Sequence, residues 1–409
     1  MRDIELYAKI LGLSEPWGVE TVEVDGKTLA VVVRVRLREA ATLVCPECRK
    51  TMPGYDSRPR RWRHLDTCQY QTIIEADVPR GTCSEHGVRQ IAVPWADDRS
   101  QFTALFERLV IDWLKQAGSQ TAVARQFGMT WDEANGIMDR AVRRGLSREK
   151  SRGFRKIGVD ETSFQKRHEY VTVVCDLERQ RVIYVGDDRK TESLDRFYEG
   201  LTPQQKERIE AVAMDMWEPY EDSTRRHVPN AAIVFDKFHV VQLLNKAVDQ
   251  VRRRENSFLR KRGDDRLVGS RYLWLANPDN MRHLTWNRFR PLRDGNLKTS
   301  RAWAIKETVM GLWDYSYARA ATSFFNNWFN WAVRSKLDPI KKVARTLKRK
   351  LANVLTYLKH PITNARGEAI NAKIQWLKYT ARGFRNRDHF RTAILFHCGG
   401  LDLYPHESR

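Results

Sequence analysis

The chain has 409 residues, of which 42% are apolar, enough for ordinary globular cores. Its net charge of +21 at pH 7 argues for a polyanionic partner. No apolar run reaches the roughly 18 residues of a membrane span, so nucleic acid is favoured over a membrane surface.

The N-terminal segment MRDIELYAKILGLSEPW has early acidic residues and no small-residue cleavage site, so we interpret it as something other than a secretory signal. We therefore expect a cytoplasmic protein with reduced thiols. Six cysteines in a chain of this length do not make a disulfide scaffold, and paired cysteines then indicate metal ligands.

Periodicity and composition predict a multidomain α+β chain. Short β runs with cysteines come first, then amphipathic helices, a basic linker (REKSRGFRK), α/β patterning, a basic Trp-rich helical stretch and a last amphipathic helix. The predicted segments are a zinc-binding β module (1–98), a helix-turn-helix domain (99–150), the first part of a catalytic core (151–250), an all-helical insertion (251–360), and the final core helix with a tail (361–409).

Two cysteine-containing turns have the spacing of a zinc site. In CPEC, Cys45 and Cys48 are separated by two residues, and in TCSEHG the same spacing separates Cys83 from His86. Two such turns can close a tetrahedral site, because Zn²⁺ prefers four sulfur or nitrogen ligands. We predict a structural zinc ion here; the alternative is a set of unrelated buried thiols with an exposed histidine. Two residues between the turns are substitute ligands, Cys68 and His64.

Residues 103 to 146 have the pattern of helix, short helix, turn and third helix. Ser119 or Thr121 can cap the second helix, Gly128 permits the tight turn, and Thr130 can cap the third. This arrangement would place the third helix in a DNA major groove. The alternative is a three-helix structural domain. The predicted DNA contacts of the third helix are Arg140, Arg143 and Arg144.

The pattern then changes to short strands. Three runs, KIGVDETSF, YVTVVCDLE and RVIYVGDD, predict an antiparallel meander. Two more runs, EAVAMDM and AAIVFDKFHVV, alternate with helices and predict parallel additions. This order favours an RNase H-like α/β core, in which the first strand is central and the fourth lies beside it.

Three acidic residues fall where such a core would bring carboxylates together. Asp160 lies inside the first run, Asp215 ends the fourth, and Glu368 is near the start of the last helix. Acidic residues are depleted in strands, so a carboxylate within an apolar run needs a reason. Two Mg²⁺ (or Mn²⁺) ions about 3.5–4 Å apart would supply it, since hard cations need oxygen ligands. We predict that these three residues hold them.

The second aspartate stays open between two candidates. Asp236 ends the fifth run, one strand further from the centre than Asp215, which we prefer. His239 lies nearby and is a candidate to position a phosphate or an aspartate. The alternative is a core histidine whose hydrogen bonds are all made within the protein. Glu161 directly follows Asp160 and is expected on the opposite sheet face, because strand side chains alternate.

Two basic segments have helical patterns, VRRRENSFLRKR (251–262) and VRSKLDPIKKVARTLKRK (333–350). Such residues give DNA affinity through phosphates without reading sequence; a solvated helix face is the alternative for each. The aromatic segment at 323–334 fits core packing better than base stacking. The predicted DNA contacts here are Arg252, Arg253 and Arg254.

Several stretches jointly resemble one known family: CPEC, RRWRHLD, TCSEHGVR followed by VPWA, GVDETSF, AMDMWEPY, VFDKFHVVQLLNKAVD and RGEAINAKIQWLKYTARGFRN. Over nearly its whole length, the chain is similar to the zinc-finger-bearing DDE transposases of bacterial insertion sequences called ISL-three. The resemblance implies a catalytic core interrupted by a helical insertion before its final helix. It maps an acidic triad to Asp160, Glu368 and an aspartate in AMDMW or FDKFH. Gly367 departs from the family pattern and loosens the start of the last helix.

The resemblance also implies a substrate and partners. Double-stranded DNA, as terminal inverted repeats and target, would be cut and joined at the bacterial nucleoid. Two ends must meet, so at least a homodimer on DNA is expected, with neither a membrane nor a small-molecule substrate. A non-catalytic, domesticated DNA-binding regulator is the main alternative, and the three carboxylates argue against it. An RNase H-like nuclease acting on RNA would explain the N-terminal modules poorly.

Overall fold

The computed structural model describes residues 3–13, 15–38, 41–149, 153–165, 169–362 and 365–405, without the side chains of residues 365, 366 and 368. The chain divides into two compact units. Unit 1 comprises residues 1–150, 379–382 and 400–409, and unit 2 comprises residues 151–378 and 383–399.

Unit 1 begins with a helix and a five-stranded sheet. The sheet has the order β1-β2-β4-β3, and β5 pairs with β4. Its inner face carries alternating apolar residues, and three tryptophans meet there: the Trp95 ring lies edge-on to Trp17 at 4.9 Å and to Trp62 at 5.3 Å. The elements are α1 (Asp3–Ile10), β1 (Trp17–Asp25), β2 (Ala30–Leu37), β3 (Gly54–Arg63), β4 (Gln71–Cys83) and β5 (Gly87–Gln90).

Three helices follow in unit 1, and local capping fixes their ends. They are α2 (Ala104–Gln116), α3 (Gln120–Gln126) and α4 (Trp131–Arg148). The Ser119 hydroxyl accepts from the Ala122 N–H at the start of α3, and Thr130 forms a reciprocal capping box with Glu133 at the start of α4. The φ of 61° at Gly128, in the turn between them, suits glycine. The predicted helix-turn-helix pattern is therefore present.

A buried carboxylate ties the three-helix domain together. Glu107 of α2 is 1% exposed, and its Oε1 accepts from Arg140 Nε at 2.8 Å, while its Oε2 accepts from Arg144 Nη2 at 3.0 Å. The Ser100 hydroxyl also donates to Glu107, at 2.8 Å. Arg144 further donates to the Leu403 carbonyl at 2.6 Å, so the segment around Leu403 packs on α4.

The sheet of unit 2 has the order β10-β9-β6-β7-β8. Strands β6, β7 and β8 form an antiparallel meander, while β9 pairs with β6 in parallel and β10 pairs with β9 in parallel. The predicted meander and parallel additions are thus both found. The strands are β6 (Lys156–Gln165), β7 (Glu169–Asp176), β8 (Arg181–Val185), β9 (Ala211–Met214) and β10 (Ala232–Phe235).

The helices of unit 2 pack against this sheet and against one another. The helices between its strands are α5 (Thr191–Glu199), α6 (Pro203–Glu207) and α7 (Glu218–His227). The helices after β10 are α8 (Lys237–Arg260), α9 (Arg271–Leu275), α10 (His283–Asp294), α11 (Lys298–Met310), α12 (Ala318–Arg334), α13 (Asp338–Arg349), α14 (Leu351–Lys359), α15 (Ala365–Thr380) and α16 (Arg387–Cys398). One continuous apolar core joins the sheet to α8–α14. Among the described residues, none of the helices has the length and apolar character needed to cross a membrane.

Removing the Glu107 carboxylate should destabilise the three-helix domain selectively. The change Glu107→Ala leaves two guanidinium groups short of their buried partner, which costs about 3 kcal/mol of unfolding free energy. Urea denaturation of the full, zinc-loaded chain measures it. Asp132→Ala, an exposed change in the first turn of α4, should cost only about 0.5 kcal/mol. Equal losses from both changes would contradict the role given to Glu107.

Candidate active site and zinc centre

The two cysteine turns of unit 1 meet at one point. A bridge between Val44 and Thr51 closes the first turn, and the second links β4 to β5. The Cys48 and Cys83 sulfurs are 3.6 Å apart, and His86 Nδ1 lies 3.8 Å from the Cys45 sulfur. All four ligand atoms lie within 4.8 Å of one another.

These separations are those of a tetrahedral zinc site. Bonds of about 2.3 Å to sulfur and 2.0–2.1 Å to nitrogen put neighbouring ligand atoms roughly 3.5–3.8 Å apart. The Glu85 backbone N–H, with help from His86, lowers the pKa of the Cys83 thiol to about 6, which favours the thiolate that binds metal. The other imidazole nitrogen, Nε2, lies 3.5 Å from the Glu47 carboxylate, which orients the ring. The substitute ligands are elsewhere, because Cys68 is exposed and the His64 ring bonds to Thr103 at 2.9 Å.

Three aspartates of unit 2 form a row across neighbouring strands. The parallel register pairs Gly158 with Ala213, and Met214 with Phe235. If the first pairing is extended by two residues, Asp160 lies level with Asp215. If the second is extended by one residue, Asp215 lies level with Asp236, so Asp215 is in the middle. Adjacent strands are about 4.8 Å apart, so each outer aspartate is one strand from Asp215 and two from the other.

The row is largely buried and electrostatically strained. Burial raises the pKa of Asp160, and the Asp236 charge adds to the increase. Burial raises the pKa of Asp215 to about 6, with further increases from Glu161 and Asp160. His239 acts in the opposite direction on both carboxyls. The four acidic side chains and the imidazole therefore share one electrostatic environment.

Asp236 has a structural contact as well as a place in the row. Its Oδ1 accepts from the Phe238 N–H at 3.0 Å and caps α8, the helix that carries His239. Its Oδ2 is buried and has no hydrogen-bond partner among the described residues. A buried carboxylate oxygen in that position is costly unless a proton or a cation neutralises it.

Polar side chains of α15 bind along β6. Asn371 Nδ2 donates to Asp160 Oδ2 at 2.5 Å, and Gln375 Nε2 donates to Thr162 Oγ1 at 2.7 Å. One turn further, Lys378 donates to the Ser163 carbonyl at 2.7 Å. The other oxygen of Asp160 accepts from the Glu161 N–H at 2.7 Å. The Asp160 carboxylate is therefore fixed by two neutral donors.

Glu368, the third predicted ligand, is in the first turn of α15. Its side chain lies outside the described residues. Its helix position is three residues before Asn371, and residues with that spacing share one helix face.

Family profiles match three consecutive parts of the chain. A zinc-finger profile of the transposases IS204/IS1001/IS1096/IS1165 matches residues 42–86, and the "helix-turn-helix domain of transposase family ISL3" matches 91–142. The ISL3 profile described as "transposase" matches 157–394, more than half of the chain. The chain belongs to the ISL3 (ISL-three) family of DDE transposases. The resemblance seen in the sequence is thereby confirmed.

Two relatives match this transposase over more than nine tenths of its length. The transposase of insertion sequence element IS1557 from Mycobacterium tuberculosis is 27% identical over 416 residues, covering 94% of this chain and 93% of the relative. The transposase of insertion sequence element IS1001 from Bordetella parapertussis is 30% identical over 395 residues, covering 93% and 95%. The protein is a DNA-binding transposase with a zinc-binding module, and the regulator alternative is not favoured.

The basic residues predicted to contact DNA fall into two groups in the transposase. Arg140 and Arg144 are held by Glu107, and Arg252 is buried against Asp249 at 2.8 Å. The other group is accessible: the side chain of Arg143 is 73% exposed and that of Arg253 is 67% exposed. Arg254 is also exposed.

Several residues near the aspartates were not predicted from the sequence to belong to the site. Glu161 was expected to face away from the site, yet its charge raises the pKa of Asp215. Asn371 carried a usable signal, since its spacing from Glu368 puts both on one helix face. Arg189 and Trp217 had no such signal in the sequence, because they lie on loops that only the fold brings together.

The zinc ligands can be tested by metal content. We expect one zinc ion per chain in the purified transposase and in Cys68→Ala, and less than about a tenth of that in Cys83→Ala, because removing one of four ligands opens the site. Mass spectrometry of metal content measures this. Zinc retained by Cys83→Ala, or lost from Cys68→Ala, would contradict the ligand set.

The strain on Asp215 can be tested without Mg²⁺. Its pKa in the folded protein is about 6, above its ordinary value. The neutral carboxyl therefore favours folding below about pH 4, and this contribution is lost as the pH rises through 6. We expect Asp215→Asn to raise the unfolding free energy of the zinc-loaded, Mg²⁺-free protein at pH 8 by about 1–3 kcal/mol. Asp222→Asn, at an exposed position of α7, should leave it unchanged; an equal gain there would point to net charge instead.

Proposed function

We propose that this transposase binds the terminal inverted repeats of its insertion sequence and catalyses DNA cleavage and strand transfer with two divalent cations, Mg²⁺ or Mn²⁺. The proposed ligands are Asp160, Asp215 and Glu368. The observation that carries the proposal is the row of aspartates across three parallel-paired strands, beside the helix that bears the glutamate. Membership of a DDE transposase family supports the same chemistry.

The fold that we propose for the catalytic part is RNase H-like. The order of its sheet, with the first strand central, three antiparallel strands and two parallel additions, supports this. Residues 251–360, from the second half of α8 through α14, come between β10 and α15 and are proposed as the insertion. Lys350, between α13 and α14, pairs with the buried Glu221 of α7 and holds these helices to the core.

We assign the second metal-binding aspartate to Asp215. It occupies the middle of the row, next to Asp160, and its side chain is partly accessible, whereas Asp236 is only 5% exposed. A DNA phosphate has to reach the cations, which favours the accessible carboxylate. Asp236 is then a positioning residue, because it caps the helix that carries His239.

The donor set fits a hard divalent cation. It consists of carboxylate oxygens, which Mg²⁺ prefers, and the Oδ2 of Asp236, buried and without a partner among the described residues, adds negative charge beside them. When bound, such cations activate the attacking oxygen and stabilise the leaving oxygen of a phosphodiester. The protein orients the ligands: Asn371 and the Glu161 N–H hold the Asp160 carboxylate, and both donors are neutral, so they do not repel a cation.

DNA binding is proposed for α4 and for exposed cations of unit 2. The exposed start of α4 would enter the major groove, and Arg143, Arg253 and Arg254 would contact phosphates. Joining two element ends to a target needs two protomers, so we propose a homodimer or larger assembly on DNA. Its chromosomal substrate places the reaction at the bacterial nucleoid.

Substitution of the acidic residues tests the chemistry. Asp160→Asn, Asp215→Asn and Glu368→Gln should each lower cleavage and strand transfer on duplex DNA carrying the element ends by about 10³-fold or more, since each removes a charged cation ligand. Asp236→Asn should lower them only about 10- to 100-fold, as expected of a residue that acts through another. Each variant should bind the end DNA with native affinity in a gel-shift assay.

Three outcomes would overturn parts of the proposal. Full activity in all four variants would leave only DNA binding, as in a regulator. An active Asp215→Asn with an inactive Asp236→Asn would exchange the roles of the two aspartates. Faster cleavage of an RNA–DNA hybrid than of end DNA would favour a nuclease that acts on RNA.

A further inference from the structure

An arginine lies over two aromatic rings beside the aspartate row. The Arg189 guanidinium lies 4.6 Å from the centre of the Tyr170 ring and 5.2 Å from that of Trp217. The Trp217 indole N–H donates to the Arg189 carbonyl at 3.3 Å, which fixes ring and arginine relative to each other. We call these three residues the Arg189 stack.

The stack lies at the edge of the acidic site. Trp217 follows Asp215 by two residues, and the Trp217 N–H donates to Asp215 Oδ1 at 3.1 Å. Arg189 Nη1 lies 3.4 Å from Glu161 Oε1, and Glu161 directly follows Asp160 in β6. One hydrogen bond therefore connects the stack to Asp215, and a second connects it to the residue next to Asp160.

The geometry leaves the edges of the guanidinium available. The guanidinium lies over the faces of both rings, and these contacts do not use its N–H donors as conventional hydrogen bonds. A guanidinium has five such donors, and among the described residues its hydrogen bond to Glu161, at 3.4 Å, is a long one. The Arg189 side chain is 38% exposed, and Trp217 is also 38% exposed. A planar fork of donors matches the oxygens of a phosphate.

We propose that the Arg189 stack binds a DNA phosphodiester adjacent to the bond that is cut. This inference rests on the proposed function, because that function places the scissile phosphate at Asp160 and Asp215. The aromatic rings hold the guanidinium in one orientation, so less conformational freedom is lost when DNA binds. The positive charge also offsets the repulsion between Glu161 and the incoming phosphate.

A purely structural role predicts a different arrangement. An arginine that only neutralises Glu161 would bond it closely, as Arg140 bonds Glu107 at 2.5–2.8 Å. It would not need contacts with two aromatic rings while its side chain stays 38% exposed. Lysine would also serve such a role, whereas a phosphate-binding fork requires arginine.

A double-mutant cycle, which combines one protein substitution with one change in the DNA backbone, tests the inference. One phosphate at a time, within three positions of the cut, is replaced by an uncharged methylphosphonate. The dissociation constant of the zinc-loaded protein for end DNA is then measured without Mg²⁺, and kcat/KM is measured with it. Arg189→Ala should weaken binding to unmodified DNA about 10- to 100-fold, typical of a hydrogen bond to a charged group. At one modified position the same change should cost less than about threefold.

Two further variants make the cycle specific. Arg189→Lys should recover only part of the loss, since lysine keeps the charge but not the fork. Arg155→Ala removes an exposed arginine that pairs with Glu210 at 2.8 Å, just before β6, and should bind all DNAs normally. Additive effects at every phosphate, or an equal loss in Arg155→Ala, would overturn the inference.

The proposed function fails separately. If Asp160→Asn cleaves as well as the unchanged protein, the metal site is wrong, whatever the binding cycle shows. If Asp160→Asn is inactive while Arg189→Ala binds and cleaves normally, only the role of the Arg189 stack is wrong.

Discussion

Repulsion between carboxylates in a shared, mostly buried space is the constraint on which unit 2 depends. Water is displaced from Asp160 and Asp215, and their pKa values rise because the charged forms lose hydration and face one another. Such a cluster survives only if the surrounding structure is rigid enough to hold it. The parallel pairing of β6, β9 and β10 holds the segments that carry the row, and the Asp236 N–H donates to the Met214 carbonyl at 3.3 Å.

Neutral hydrogen-bond donors orient the carboxylates of the cluster, and the His239 imidazole lowers the pKa values of Asp160 and Asp215. The hydrogen bond from Asn371 fixes the orientation of Asp160 without cancelling its charge, and the same helix is registered on β6 by Gln375 and Lys378. On the opposite side, the Glu221–Lys350 pair joins α7, which follows Asp215, to the later helices. The acidic residues thus remain available for cations while their backbone is held from several directions.

Unit 1 is stabilised by a cluster of metal ligands and by a buried carboxylate that is paired with arginines. Its sheet has an apolar core of its own, and a zinc ion held by the four ligands of the two turns would add to its folding free energy. Its three-helix domain buries Glu107, whose charge is shared by Arg140 and Arg144. Those two arginines maintain the domain, which leaves Arg143, on the outer face of α4, free of that internal network.

Features that depend on neighbours in the chain were determined by the sequence alone. Zinc-ligand spacing, the caps at Ser119 and Thr130 and the alternation of strands are local, so their residues are read directly from the chain. The family motifs added the reaction class. Tertiary structure alone decided how distant residues pair: which arginines are held by Glu107, that Asn371 bonds to Asp160, and that Arg189 meets Trp217. Those contacts join residues far apart in sequence, and hydrophobic periodicity carries no information about which distant side chains will meet.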